Sequence, residues 1–181
     1  MLGVVFTEFT DMVEEAFGPE TLDEMITSVE SRLESGGAYT AVGTYHHNEM
    51  VLLVSQLAKQ TGRDIDGLVE LFGQHLFGRF VERYPDFFKG VDNGLDFLET
   101  VEGYIHFEVR KLYPTAELPT FVCERKAPDH LVMEYHSTRP FAMLCRGLMK
   151  GCGEHYGERF EIEETPLADG ASGMCFSIQR L

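Results

Sequence analysis

Thr120-Phe121-Val122-Cys123-Glu124-Arg125 and His130-Leu131-Val132-Met133-Glu134-Tyr135, with Ala127-Pro128-Asp129 between them, decide the fold. Apolar and aromatic residues fill both runs, and turn formers separate them, which predicts two strands joined by a turn. Downstream, Phe160-Glu161-Ile162-Glu163 alternates as a strand should. The loop Asp169-Gly170-Ala171-Ser172-Gly173 then leads into a last strand, Met174 to Gln179. Between the two pairs, Phe141, Leu144, Cys145, Leu148 and Cys152 recur at helical spacing. The last third therefore reads as an antiparallel sheet carrying a helix.

The first two-thirds read mainly as helix. Val5, Phe9, Met12, Val13 and Phe17 share one helical face, and Gly18-Pro19 ends it. A second helix runs to about Leu33 and stops at Gly36-Gly37. Met50, Leu53, Val54 and Leu57 make a third stripe, closed by Thr61-Gly62. Asp64 is placed to cap a helix carrying Leu68, Phe72, Leu76 and Phe80, which Tyr84-Pro85 closes. Leu95, Leu98, Ile105, Val109 and Leu112 define one long helix that stops before Pro114. The predicted class is α+β, with a helical N-terminal lobe over about 1–62 and a lobe of helices and antiparallel sheet over about 63–181.

Composition narrows the function classes. A chain of 181 residues suits one domain with a sizeable core. Its formal net charge of −15 argues against nucleic acid or an anionic membrane as partner, since both demand a basic surface. No apolar run approaches the length needed to span a bilayer. Met1-Leu2-Gly3-Val4-Val5 lacks a basic leader region, so a cytoplasmic location is expected, with the four cysteines reduced. There is no G-x-S-x-G, no phosphate-binding glycine loop and no H-E-x-x-H, so no enzyme is expected. Glu161, Glu163 and Glu164 read as an exposed strand edge, and Glu8, Glu14 and Glu15 as the polar side of the first helix.

Two features carry chemistry. Tyr135, Ser137 and Arg139 stand at i, i+2 and i+4, so a continuing strand would put all three on one face. Arg139 adds a planar fork suited to carboxylates or phosphates, which points to a small anionic ligand; a strand end with a solvated arginine has the same pattern. His106 lies beside the apolar stripe of the long helix. There it is either a core imidazole or a neutral metal ligand. No His or Cys follows at i+3 or i+4, so a lone histidine ligand makes sense only where a cofactor such as a porphyrin supplies the others. A smaller set, Cys145, Cys152 and His155 with Cys175, has the residue types of a structural zinc site but no C-x-x-C pair. The alternative is that these cysteines are small apolar core residues. His46, His47, His75, His130 and His136 show no ligand spacing, and His136 should point away from the triad.

Over essentially its whole length the chain resembles the haem nitric oxide/oxygen-binding domains, relatives of the sensor domain of soluble guanylate cyclase. The Y-x-S-x-R motif stands as Tyr135, Ser137 and Arg139, and the proximal histidine stands in Ile105-His106-Phe107-Glu108-Val109-Arg110-Lys111-Leu112-Tyr113. Pro119, the Met-x-Gly start and Gly73 also match. The resemblance implies a helical distal and a mixed proximal subdomain with haem b between them. It implies His106 on the iron, Tyr135, Ser137 and Arg139 on the propionates, and Pro119 against the porphyrin. It also implies a distal wall of Val5, Phe9, Leu76, Phe80 and Leu144. Leu144 stands where the family's oxygen binders carry a tyrosine, so NO and CO are the expected ligands, and stable O₂ binding is not. On NO binding the Fe–His106 bond would weaken or break. With no output domain in 181 residues, the expected partner is a separate sensor histidine kinase or a cyclic-di-GMP cyclase or phosphodiesterase. The rival readings are a haem sensor of O₂ or redox state, and a haem-free acidic interaction module.

Overall fold

The computed structural model describes residues 1–114, 116–167 and 173–181. They form two compact units, Met1–Phe72 and Gly73–Leu181. The boundary falls inside one helix, α4 (Ile65–Arg83).

The first unit is helical. α1 (Gly3–Phe17) ends at Gly18, whose φ of 92° lies in the region that glycine enters without a Cβ penalty. α2 (Pro19–Val29) starts directly afterwards, with proline in its first turn, where the missing N–H costs nothing. A 3₁₀ turn, Glu30–Arg32, ends this segment, and α3 (His47–Thr61) closes at left-handed Gly62. α2 packs against both α1 and α3. Phe6, Phe9, Val13, Met25, Val29, Leu53 and Leu57 are wholly buried. Phe9 meets Phe72 edge to face at 5.1 Å. The polar side expected for α1 is only partly so, because Glu8 is wholly buried while Glu14 and Glu15 are exposed. Glu8 lies between Phe6 and Phe9 in sequence, on a helix buried around more of its circumference than a one-sided stripe implies.

The second unit packs helices on a four-stranded antiparallel sheet of order β1-β2-β4-β3. β1 spans Thr120–Ala127, β2 His130–His136, β3 Phe160–Pro166 and β4 Gly173–Arg180. β2 is central, with Leu131, Met133 and Tyr135 buried in strict alternation. Met133 pairs with Cys123 on one side and Phe176 on the other. β3 is an edge strand and exposes Glu161, Glu163 and Glu164, as the sequence predicts. The predicted loop over residues 169–172 lies outside the described residues. α5 (Gly94–Thr100) and α7 (Ala142–His155) cover the sheet's core with Leu95, Phe97, Leu98, Cys145, Met149 and Cys152. The remaining long segment does not form one helix. A π-helical turn, Val101–Ile105, separates α5 from α6 (His106–Leu112). Leu98 and Ile105 are seven residues apart, a spacing that a regular helix also satisfies, so the periodicity gives no sign of the break. Leu112, assigned to the stripe, is exposed.

Candidate functional site

His106 opens α6 directly after the π turn. Single π turns inside helices recur at functional sites, where the irregular ladder re-aims a side chain. The His106 ring is mostly covered, with 12% of its side chain exposed, and lies 5.5 Å from the Phe121 ring of β1. Its Nδ1 stands 3.1 Å from Oε2 of Glu102, one turn back. Burial pushes the imidazole below its ordinary pKa, the Glu102 carboxylate pulls it up, and the net shift is downward. A neutral imidazole at neutral pH is the form that ligates metals.

Glu102 gathers three donors. Its Oε1 accepts from the Arg110 guanidinium at 2.9 Å, and its Oε2 accepts from the Phe121 backbone N–H at 3.2 Å as well as facing His106. Burial alone would raise its pKa, but Arg110 and His106 outweigh that and hold it below the usual carboxylate range. An ionised carboxylate carries no proton to give, so the contact with His106 has Nδ1–H as donor. The sequence reading missed Glu102. The available signal was its position four residues before His106, a spacing that brings helical side chains together.

Tyr135, Ser137 and Arg139 do come together, but not by strand alternation. β2 ends at His136, so Ser137 and Arg139 lie beyond the strand. A local turn gathers them instead: the Arg139 N–H donates to Ser137 Oγ at 3.0 Å, and the Tyr135 hydroxyl donates to the Arg139 carbonyl at 3.5 Å. Burial raises the Tyr135 pKa, keeping the phenol a donor. The Arg139 side chain is only 11% exposed, and its guanidinium grips Glu117, donating to its carbonyl at 3.0 Å and to its carboxylate. The fork is thus set to hold a carboxylate. His136 bonds Glu134 at 3.3 Å, away from the triad. Phe121 links the two halves of the site, standing 5.5 Å from the His106 ring and 5.8 Å from the Tyr135 ring.

Pro119 precedes β1, and its backbone carbonyl competes with Glu102 for the single N–H of the neutral His106 ring. Leu76 is buried on α4, while Phe80 on α4 and Leu144 on α7 are half-buried. Gly73 brings α4 onto α7: a Cβ there would meet the Leu144 carbonyl oxygen and stand 2.7 Å from the Gly147 Cα. Val5 and Phe9 belong to the first unit, half-buried and wholly buried respectively.

The cysteine set is not gathered as a metal site. Among the described residues no group of three or more His, Cys, Asp or Glu is placed to hold a metal ion. Cys152 instead approaches the Gly94 carbonyl at 3.5 Å, and Cys145 is core. Among the described residues no helix is long and apolar enough to cross a membrane.

His106, with its carboxylate partner, and the Arg139 fork are the residues here that could hold an anionic, metal-bearing cofactor. The comparisons make this specific. The family model described as Haem-NO-binding matches residues 2–164. The H-NOX protein of K. algicida in its unliganded Fe(II) form is 39% identical, with 100% of this chain and 97% of that chain covered and a TM-score of 0.91. The Shewanella woodyi H-NOX, bound to IWP-051 in the Fe(II)CO state, is 40% identical, covering 100% and 95% with a TM-score of 0.84. The S. oneidensis H-NOX in the Fe(II)NO state is 25% identical, covering 100% and 99% with a TM-score of 0.89. No curated protein sequence matches the chain significantly. The chain belongs to the H-NOX family of haem-binding gas-sensor domains.

Proposed function

We propose that this chain holds haem b through His106 and senses nitric oxide in the cytoplasm. The observation that carries the reading is a nearly buried imidazole, linked through the Phe121 ring to the motif whose guanidinium fork is already closed on a carboxylate. Those donors fit haem: one nitrogen for the iron, and one charged fork for a propionate. Haem would supply a ferrous iron able to take NO or CO. The S. oneidensis and S. woodyi structures, in the Fe(II)NO and Fe(II)CO states, support that choice of ligands.

The chain's own residues would then act as follows. His106 would hold the iron through Nε2. Arg139, with Tyr135 and Ser137, would hold the propionates. Pro119 would pack against the porphyrin face. Leu76, Phe80 and Leu144 carry no hydrogen-bond donor, which favours NO over O₂, since bound O₂ gains from a polar distal group. His106, tied to β1 through Glu102, would couple the state of the bound haem to the sheet, and a separate kinase or cyclic-di-GMP enzyme would read that change.

The test is the visible spectrum of the reduced protein before and after air and then NO. A haem spectrum unchanged by brief air exposure and converted by NO is expected; a stable oxygenated form would move the function to O₂. His106→Ala should lose haem unless imidazole is supplied. Full haem occupancy without imidazole would refute the axial assignment.

A further inference from the structure

We infer that Glu102 is the positioning residue of His106: its carboxylate holds the Nδ1–H, presents Nε2 as the bare lone pair, and ties the ring to the backbone of β1. The inference rests on His106 being the axial ligand. It goes beyond that reading by assigning the group that sets the ligand's strength and couples it to the sheet.

The geometry supports each part. The 3.1 Å contact from Nδ1 to Oε2 fixes both the tautomer and the ring's rotation. A carboxylate on the far nitrogen raises the basicity of the near one, strengthening its bond to a metal. The same Oε2 accepts from the Phe121 N–H at 3.2 Å, so a ring that moves must drag or break a link to the first strand of the sheet. Phe121 pairs with Tyr135, so the link runs on to the residue that opens the propionate motif. Arg110, at 2.9 Å from Oε1, shares the negative charge and weakens its effect on the imidazole. The π turn places Glu102 and His106 in this relation at the junction of α5 and α6. The Pro119 carbonyl is the competing acceptor for the same ring.

Three full-chain variants test this. Glu102→Gln keeps an acceptor of the same size and removes the charge. Glu102→Leu removes both charge and acceptor. Arg110→Gln leaves the carboxylate less shared. In the reduced haem protein, the iron–histidine stretch measured by resonance Raman should fall in Glu102→Gln and fall further in Glu102→Leu. It should rise in Arg110→Gln. Haem transfer to an apo-globin acceptor should quicken by about 10-fold or more in Glu102→Leu, the usual scale for losing a ligand's outer partner. An unchanged stretch in a folded Glu102→Gln protein would overturn the inference and assign the ring to Pro119. So would an Arg110→Gln shift in the same direction as Glu102→Gln. A second readout needs no haem: ¹⁵N correlation spectra of the haem-free chain should show His106 with its proton on Nδ1, and a mixed tautomer in Glu102→Leu. If the chain takes up no haem, the sensor reading fails, and this tautomer measurement still decides the role of Glu102.

Discussion

Arg139→Ala should speed haem loss, and the structure sets by how much. A charge-assisted hydrogen bond from a guanidinium to a propionate contributes about 2–3 kcal/mol when largely shielded from water. Arg139 meets that condition, with 11% of its side chain exposed. Yet the guanidinium already holds the Glu117 carboxylate, and Glu117 is 81% exposed. A pair so open to solvent contributes no more than about 1 kcal/mol. A propionate that displaces or shares Glu117 therefore gains only the difference, about 1–2 kcal/mol. At 1.4 kcal/mol per tenfold, haem loss from Arg139→Ala should be roughly 5–30-fold faster than from the wild type. Glu117→Gln should move the rate the other way, slowing loss by about 5-fold at most, because it removes a competitor and leaves the fork intact. The assay is haem transfer to excess apo-globin, followed at the Soret band, with circular dichroism to show that both variants stay folded. An unchanged rate in folded Arg139→Ala would refute the propionate role. Faster loss in Glu117→Gln would refute the idea that Glu117 competes for the fork, and would make it a support of the site.

Other predictions concern the scaffold. Gly73→Ala should cost about 1–3 kcal/mol, because the new Cβ meets the Leu144 carbonyl and backbone atoms of Gly147 and Leu148 rather than a flexible side chain. At about 2–4 °C per kcal/mol for a chain of this size, the thermal midpoint should drop by about 2–12 °C, and an unchanged midpoint would mean that the two helices part freely. Burial pushes the Cys123 thiol up to about 11, and raises Cys145 and Cys152 beyond that. Native Cys145 and Cys152 should resist alkylation at pH 7 until the protein is unfolded, counted by intact mass; modification of all four thiols in the native state would contradict their placement. A raised thiol pKa means that the folded chain holds its proton more tightly, so this contribution is complete below the unfolded value near 9. It is lost as pH rises through the folded values, and denaturant midpoints should fall from about pH 9 upward.

The sequence by itself determined most of the elements and picked out the residues on which the proposed site rests. The two strands around Pro128-Asp129 follow from alternation that buries Leu131, Met133 and Tyr135 on one face. The helix boundaries at Gly18, Gly62 and Pro85 follow from φ values that only some residues adopt and from the missing proline N–H. His106 and the Tyr135-Ser137-Arg139 motif were legible as candidates from residue type and spacing, and the proposed haem site rests on them. Tertiary structure decided the rest. The π turn before His106 depends on one shifted ladder of hydrogen bonds that leaves apolar spacing unchanged. The burial of Glu8 depends on how completely its neighbours enclose α1. The triad forms through a turn beyond β2, where hydrogen bonds from backbone to side chain replace the strand's two-residue period. Glu117 reaches Arg139 from 22 residues away, and Glu102 reaches the Phe121 amide from 19. Contacts at that separation exist only once the helices and the sheet have packed, and no local period records them.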